Sequence, residues 1–189
     1  MAERIHRSAI ARRRAAAMIV PLTLLFTLFI RPAAAGDPVT GDELLRHLAG
    51  MWKAAEERTP RVTAIDVDVF GPGAYDVRTV TLAVRPSGDG DLQVHTWVVG
   101  RKGRTYAPSL IEVQLRIGEP VASAANRVQP TVSVTSAEER YLDGSHERWP
   151  LEGARVILTL AGLTSKDLNL QFETRDGRGA FGTSLARRP

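Results

Sequence analysis

The spacing of apolar residues along the chain changes from a helical to a strand-like period. Between Asp42 and Glu57 apolar side chains recur every three or four residues, at Leu44, Leu45, Leu48, Met51, Trp52 and Ala55. Thr40 is a candidate N-cap, because Glu43 follows it at capping-box spacing. Thr59-Pro60 favours an end to the helix, since the residue before proline avoids helical backbone angles. The pattern predicts one amphipathic helix over residues 42–57.

Beyond that helix the apolar period is two. In the first such segment Ile65, Val67 and Val69 alternate with Asp66 and Asp68. The same alternation recurs in six further segments, which are Val80–Val84, Leu92–Val99, Leu110–Ile117, Val128–Thr135, Ala154–Leu160 and Leu168–Thr174. Strict alternation is typical of antiparallel strands with one buried face, so the chain is predicted to contain about seven of them.

These elements predict an α+β, mainly β fold. The expected architecture is an N-terminal amphipathic helix packed on a curved, mostly antiparallel sheet of about seven strands. The apolar stripe of the helix is too large to leave in water, which favours a sheet wrapped around it. A β-sandwich with the helix at one end satisfies the same pattern. A length of 189 residues with 43% hydrophobic and 24% charged residues suits one globular domain, expected over residues 36–189.

The first 35 residues contain the three parts of an export signal in the usual order, which are a basic segment, an apolar segment and a cleavage site. Five arginines precede an apolar stretch of 16 residues, Ala15 to Ile30, and Ala33-Ala34-Ala35 offers the small residues that signal peptidase requires. We therefore expect cleavage after Ala35 and a periplasmic or extracellular protein. The alternative is an uncleaved membrane anchor formed by residues 15–30.

The leader also changes the interpretation of the net charge of +4. It contains six of the 25 basic residues and one of the 21 acidic residues, which leaves 19 basic and 20 acidic residues in 36–189. The strong positive charge typical of nucleic-acid binding is therefore absent from the predicted domain. No nucleic-acid partner is expected, and membrane contact is expected only through an uncleaved leader.

Few residues suggest catalysis. The chain has no cysteine, and His47, His95 and His146 each stand alone without metal-ligand spacing, so no cofactor or metal site is predicted. Two carboxylate pairs are candidates for hydrolysis by paired acids, Asp66 with Asp68 on one predicted strand face and Asp89 with Asp91 in a glycine-rich turn. Solvated strand faces and turn formation also explain both pairs.

The most distinctive local pattern lies between Val94 and Pro108. Two extended arms joined through Gly100-Arg101-Lys102-Gly103 would place cations at a hairpin tip with aromatic residues on the arms. Such a group can hold an anion or a flat ring by charge-assisted hydrogen bonds and stacking. The predicted binding residues are Trp97, Arg101, Lys102, Arg104 and Tyr106. A solvated hairpin tip with Trp97 in the core is the alternative interpretation.

Three functions are consistent with these patterns. The first is an exported, non-enzymatic binding or accessory domain for a protein or an anionic or apolar small ligand. The second is a carrier of an apolar or lipid-like ligand, because a helix followed by a curved antiparallel sheet is loosely similar, in fold alone, to such carriers. The third is a small carboxylate-dependent hydrolase. A carrier requires a concave apolar cavity of roughly 300 Å³ or more, whereas a binding domain requires an exposed patch.

Overall fold

The computed structural model describes residues 39–121, 127–148, 154–174 and 180–189. The predicted signal peptide, residues 1–35, and the alternative anchor, residues 15–30, lie outside them. The described segments all belong to one compact unit, Ala35–Pro189. No helix among these segments is both long enough and apolar enough to cross a membrane.

The described residues of this unit form two short α-helices and ten β-strands. The helices are α1, Gly41–Leu48, and α2, Ala64–Phe70. The strands are β1 Gly50–Ala54, β2 Glu57–Pro60, β3 Tyr75–Val84, β4 Asp89–Val99, β5 Thr105–Val121, β6 Gln129–Tyr141, β7 His146–Arg148, β8 Ala154–Leu160, β9 Asp167–Thr174 and β10 Phe181–Arg188. The mainly β fold is confirmed, but the sheet has ten strands rather than seven.

Antiparallel pairing joins all ten strands into one sheet. Its order is β7-β6-β5-β4-β3-β1-β10-β9-β8, and β2 pairs with the free half of β3 beside β1. Just before β6, Val128 exchanges two backbone hydrogen bonds of 2.9 Å with Leu160 at the end of β8. Backbone hydrogen bonds at this point therefore connect β8, at one edge of the sheet, to the segment that enters β6 near the other edge.

The predicted helix is correct at its start and wrong beyond Leu48. Thr40 Oγ1 accepts a hydrogen bond from the Glu43 amide at 3.3 Å, as the capping pattern predicts. The helix then ends, and Trp52 lies on β1. Trp52 Nε1 donates to the Leu48 carbonyl at 2.7 Å, which satisfies an oxygen that the end of the helix leaves unpaired.

Most of the buried apolar side chains in the described segments form one cluster. Leu44 and Leu48 of α1 are fully buried with Trp52 of β1 and with residues from both halves of the sheet, such as Leu82 and Phe172. Along β9 the burial alternates strictly, as expected for a strand with one face in the core. The α1 helix and the inner face of the sheet thus share one core.

The largest departure from the sequence prediction is at residues 64–70. The alternation of Ile65, Val67 and Val69 predicts a strand, but the segment forms α2. Thr63 caps it by accepting a hydrogen bond from the Asp66 amide at 3.1 Å, and Gly71 follows its last residue with φ of +87°. Both termini therefore carry helix boundary signals.

Candidate functional site

The sheet register places three connections at one end of the molecule. Tyr75 at the start of β3 pairs with Val99 at the end of β4, which pairs with Thr105 at the start of β5. Further down β5, Ser109 pairs with Tyr141 at the end of β6. The β2–β3 connection with α2, the β4–β5 tip and the β6–β7 turn therefore share this end, which we call the α2 end.

The predicted hairpin tip is present in the structure. Residues Arg101–Gly103 form a 3₁₀ turn between β4 and β5, closed by a 2.8 Å hydrogen bond from the Gly100 amide to the Arg104 carbonyl. Arg101, Lys102 and Arg104 are exposed, and no carboxylate in the described part of the chain forms an ion pair with them. Three cations that have no ion-pair partner among the described residues thus lie within four positions.

The two predicted aromatic residues occupy different positions. Tyr106 lies on β5 and packs edge-on against Phe70 of α2, with 5.5 Å between ring centroids. Trp97 is partly buried on β4, where the β4–β5 register shifts between Thr96 and Val98. The structure brings Tyr106 into the contact between the tip and α2, whereas Trp97 lies at a bulge below the tip.

Backbone proximity fixes α2 against the tip. A Cβ atom on Gly71 would lie 2.8 Å from the Cβ of Arg101, and a Cβ on Gly100 would lie 2.6 Å from the Phe70 carbonyl oxygen. Both distances are shorter than ordinary side-chain contacts, so glycine at these two positions allows the close approach. The exposed cations and α2 consequently form one surface.

Arg61 ties α2 to the sheet. Its guanidinium group is 2.9 Å from a carboxylate oxygen of Asp76 on β3 and 2.8 Å from one of Asp66 on α2. It also lies over the Phe70 ring, 5.1 Å from the centroid. The hydrogen bond to Asp76 contributes most to raising the pKa of Arg61.

The environment of Asp66 favours its ionised form. Hydrogen bonds from Thr63 and then from Arg61 lower the pKa of Asp66 below its ordinary value. The Asp66–Asp68 pair proposed for hydrolysis is also not on one face, because residues two apart on a helix point about 200° apart. The structure contradicts the shared strand face, and a lowered pKa does not suit a general acid.

We expect Asp66→Asn to destabilise the protein at neutral pH and less so in acid. The unfolded pKa is about 3.9 and the folded pKa is lower, so the stabilisation is complete above about pH 4 and is lost as pH falls through the folded value. Unfolding free energies at pH 7 and pH 3 measure this, with Asp68→Asn as the control on the same helix. An Asp66→Asn effect that grows in acid would contradict the assignment.

The second carboxylate pair is also bound by arginines. Asp89 opens β4 and lies 2.9 Å from Arg116, and Asp91 lies 2.6 Å from Arg85. The glycine-rich turn precedes both residues rather than containing them. Each carboxylate therefore has a structural partner in the fold.

A cleft on the α2 end is a feature that the sequence did not predict. It has a volume of about 690 Å³, opens to solvent, and lies between β2, α2 and the start of β3. Its apolar lining consists of Pro60, Val62, Val67, Pro72, Ala74 and Tyr75. Arg58 and Arg61 also line it, and Arg58 pairs with Glu56 at 2.7 Å and lies over the Tyr75 ring.

Exposed apolar side chains are concentrated beside this cleft. Four of the eight large apolar residues that the described segments expose lie between positions 62 and 69. Val62 and Ile65 expose 82% and 74% of their surface. A cluster of this kind on a folded surface is typical of an interaction site.

Comparisons with protein-family models, curated proteins and solved structures gave no match to this chain. The function is therefore argued from the α2 end itself.

Proposed function

We propose that the protein is an exported, non-enzymatic binding domain that holds an apolar segment of a partner in the cleft of the α2 end. The concentration of exposed apolar side chains around this cleft carries the proposal. If a partner covered them, the complex would be stabilised by roughly 25 cal/mol for each Å² of apolar surface removed from water. Because the cleft is open, it suits a protruding segment of a larger molecule.

The rest of the fold acts as the scaffold in this proposal. Leu44 and Leu48 are buried in the same core as both halves of the sheet, which supports a sheet that curves around α1. The Arg61 contacts hold α2 on this scaffold. A rigid sheet that carries binding residues on its connections is a common arrangement.

A carrier function is the second candidate, favoured by the volume of the cleft. About 690 Å³ exceeds the roughly 300 Å³ that a small apolar ligand needs. Native mass spectrometry of the protein purified from its own host separates the two functions. A bound small molecule supports the carrier, and a bound protein supports the binding domain.

We expect a photo-crosslinking amino acid at Val62 to capture a partner in the exported fraction. The same amino acid at Gln171, an exposed position on β9, is the control. Adding Val67→Asp should lower capture from position 62 roughly tenfold, because a charge would be buried without a partner. The unfolding free energy of Val67→Asp shows whether the fold is intact.

Two results would contradict the binding domain. One is equal capture from positions 62 and 171, and the other is capture that Val67→Asp leaves unchanged in a folded protein. Recovery of the protein only from the cytoplasm would contradict export.

A further inference from the structure

We infer that the α2 end also binds the surface of an anionic phospholipid membrane. The apolar residues of α2 and of the β6–β7 turn would enter the headgroup layer beside the cations of the β4–β5 tip. This inference extends membrane contact beyond the leader. It shares the exposed residues Ile65 and Val69 with the argument for the proposed function but uses no residue that lines the cleft, so the two proposals can fail separately.

Six of the eight large apolar residues that the described segments expose lie at this end of the molecule. Ile65 and Val69 are separated by one helical turn and expose 74% and 59% of their surface. Leu142, in the turn after β6, exposes 81%. The register places that turn two strands from the β4–β5 tip, or about 10 Å across the sheet, and four residues, or roughly 13 Å, further down β5.

The charge of the tip complements anionic headgroups. Arg101, Lys102 and Arg104 are exposed, and Arg101 lies against the C-terminal end of α2. Long cationic side chains can bind phosphate groups while neighbouring aliphatic groups enter the apolar layer. Two exposed carboxylates, Asp68 on α2 and Asp143 in the β6–β7 turn, lie on the same end and oppose this attraction.

The shape of the surface favours a membrane over a protein groove. A helix that binds in a groove normally uses contacts spaced over two or more turns. The α2 helix has seven residues, and its exposed pair Ile65 and Val69 covers one turn. Protruding aliphatic residues on separate connections suit a fluid layer that closes around each of them.

The test uses single cysteines in the full chain, which contains none of its own. Ile65→Cys and Leu142→Cys are labelled with an environment-sensitive fluorophore, and Met51→Cys, an exposed apolar position on β1, is the control. Vesicles contain phosphatidylcholine with or without phosphatidylglycerol. We expect blue-shifted, brighter emission at positions 65 and 142 with phosphatidylglycerol vesicles, and no change at position 51.

Charge variants test the cations separately. The triple variant Arg101→Ser, Lys102→Asn and Arg104→Ser uses asparagine at 102, because φ is +60° there and asparagine tolerates that conformation. Each cation contributes roughly fivefold, so the vesicle concentration for half-maximal response at position 65 should rise roughly 100-fold. The control is a second triple variant, which removes the same charge elsewhere through Lys53→Ser, Lys166→Asn and Arg188→Ser. It should change this vesicle concentration little.

The removal of a carboxylate should have the opposite effect. Asp68→Asn is expected to lower that vesicle concentration roughly fivefold. The fluorophore at position 65 reports only on its own surroundings. Its response therefore distinguishes membrane binding by the α2 end from membrane binding by residues 1–35, which a measurement of total bound protein would not. Raising the salt concentration should weaken the response of the wild type more than that of the variant changed at positions 101, 102 and 104.

The inference is overturned if the label at position 65 does not respond to phosphatidylglycerol vesicles. It is also overturned if both triple variants respond equally, or if pure phosphatidylcholine produces the full response. A label at position 65 that responds to a captured protein but not to vesicles assigns this surface to a protein and leaves the proposed function standing. If the crosslinker at Val62 captures no partner but the vesicle response is intact, the proposed function fails and the membrane inference stands.

Discussion

Trp52→Ala is expected to lower the free energy of unfolding by about 3–5 kcal/mol, the range for a large aromatic residue removed from a core. The indole is fully buried in the core cluster. Its Nε1 donates to the Leu48 carbonyl at 2.7 Å, and the Arg187 guanidinium lies 5.8 Å from its ring centroid. The substitution therefore leaves a cavity and also frees a carbonyl at the end of α1.

Chemical denaturation measures this loss, and Met51→Ala is the matched control. Met51 is adjacent on β1 but points to solvent with 45% of its surface exposed, so its replacement should cost less than about 1 kcal/mol. Trp52→Phe keeps most of the volume but not the hydrogen bond, and should cost less than Trp52→Ala. Equal effects of the substitutions at 51 and 52 would contradict the burial of Trp52.

Trp52 also shows why the burial of a residue was easier to predict than its secondary structure. Its helical spacing from Leu44 and Leu48 correctly indicated a shared core, but a strand entering the same core after a turn gives a similar pattern. Gly50, with φ of +131°, makes that turn possible. A glycine inside an apolar helical pattern is a weak signal, because helices tolerate it at about 1 kcal/mol.

The error at residues 64–70 has a different physical origin. Alternating Ile65, Val67 and Val69 resemble a strand with one buried face, since β-branched residues favour strands. Thr63 and Asp66 also have the spacing of a helix cap, and Gly71 the position of a helix end. The capping signals agree with the observed helix, and the sequence pattern could not show that these apolar side chains are exposed.

The candidate site was only partly predictable for the same reason. The tip follows from local glycine and strand patterns, which is why Arg101 to Arg104 were found. The cleft depends on β2, α2 and β3 meeting in space, and its residue Val67 resembled an ordinary strand position. The contact between Tyr106 and Phe70 joins residues 36 apart in the chain, and no local pattern records it.

Phe172→Ala, in the other half of the sheet, is also expected to cost about 3–5 kcal/mol. Phe172 lies on β9 with 1% of its surface exposed, and its ring centroid is 5.4 Å from that of Phe181 on β10. Gln171→Ala, at the exposed neighbouring position, should change stability by less than about 0.5 kcal/mol. Urea unfolding of both variants gives the comparison.

The shape of the unfolding curves carries further information. Trp52 and Phe172 belong to one buried cluster, although β1 and β9 are separated in the sheet by β10. If the cluster is one cooperative core, Trp52→Ala and Phe172→Ala should each shift the whole of a single transition to lower urea without changing its slope. Two separate transitions, with each substitution moving only one, would show that β8, β9 and β10 unfold independently of the strands that carry the α2 end.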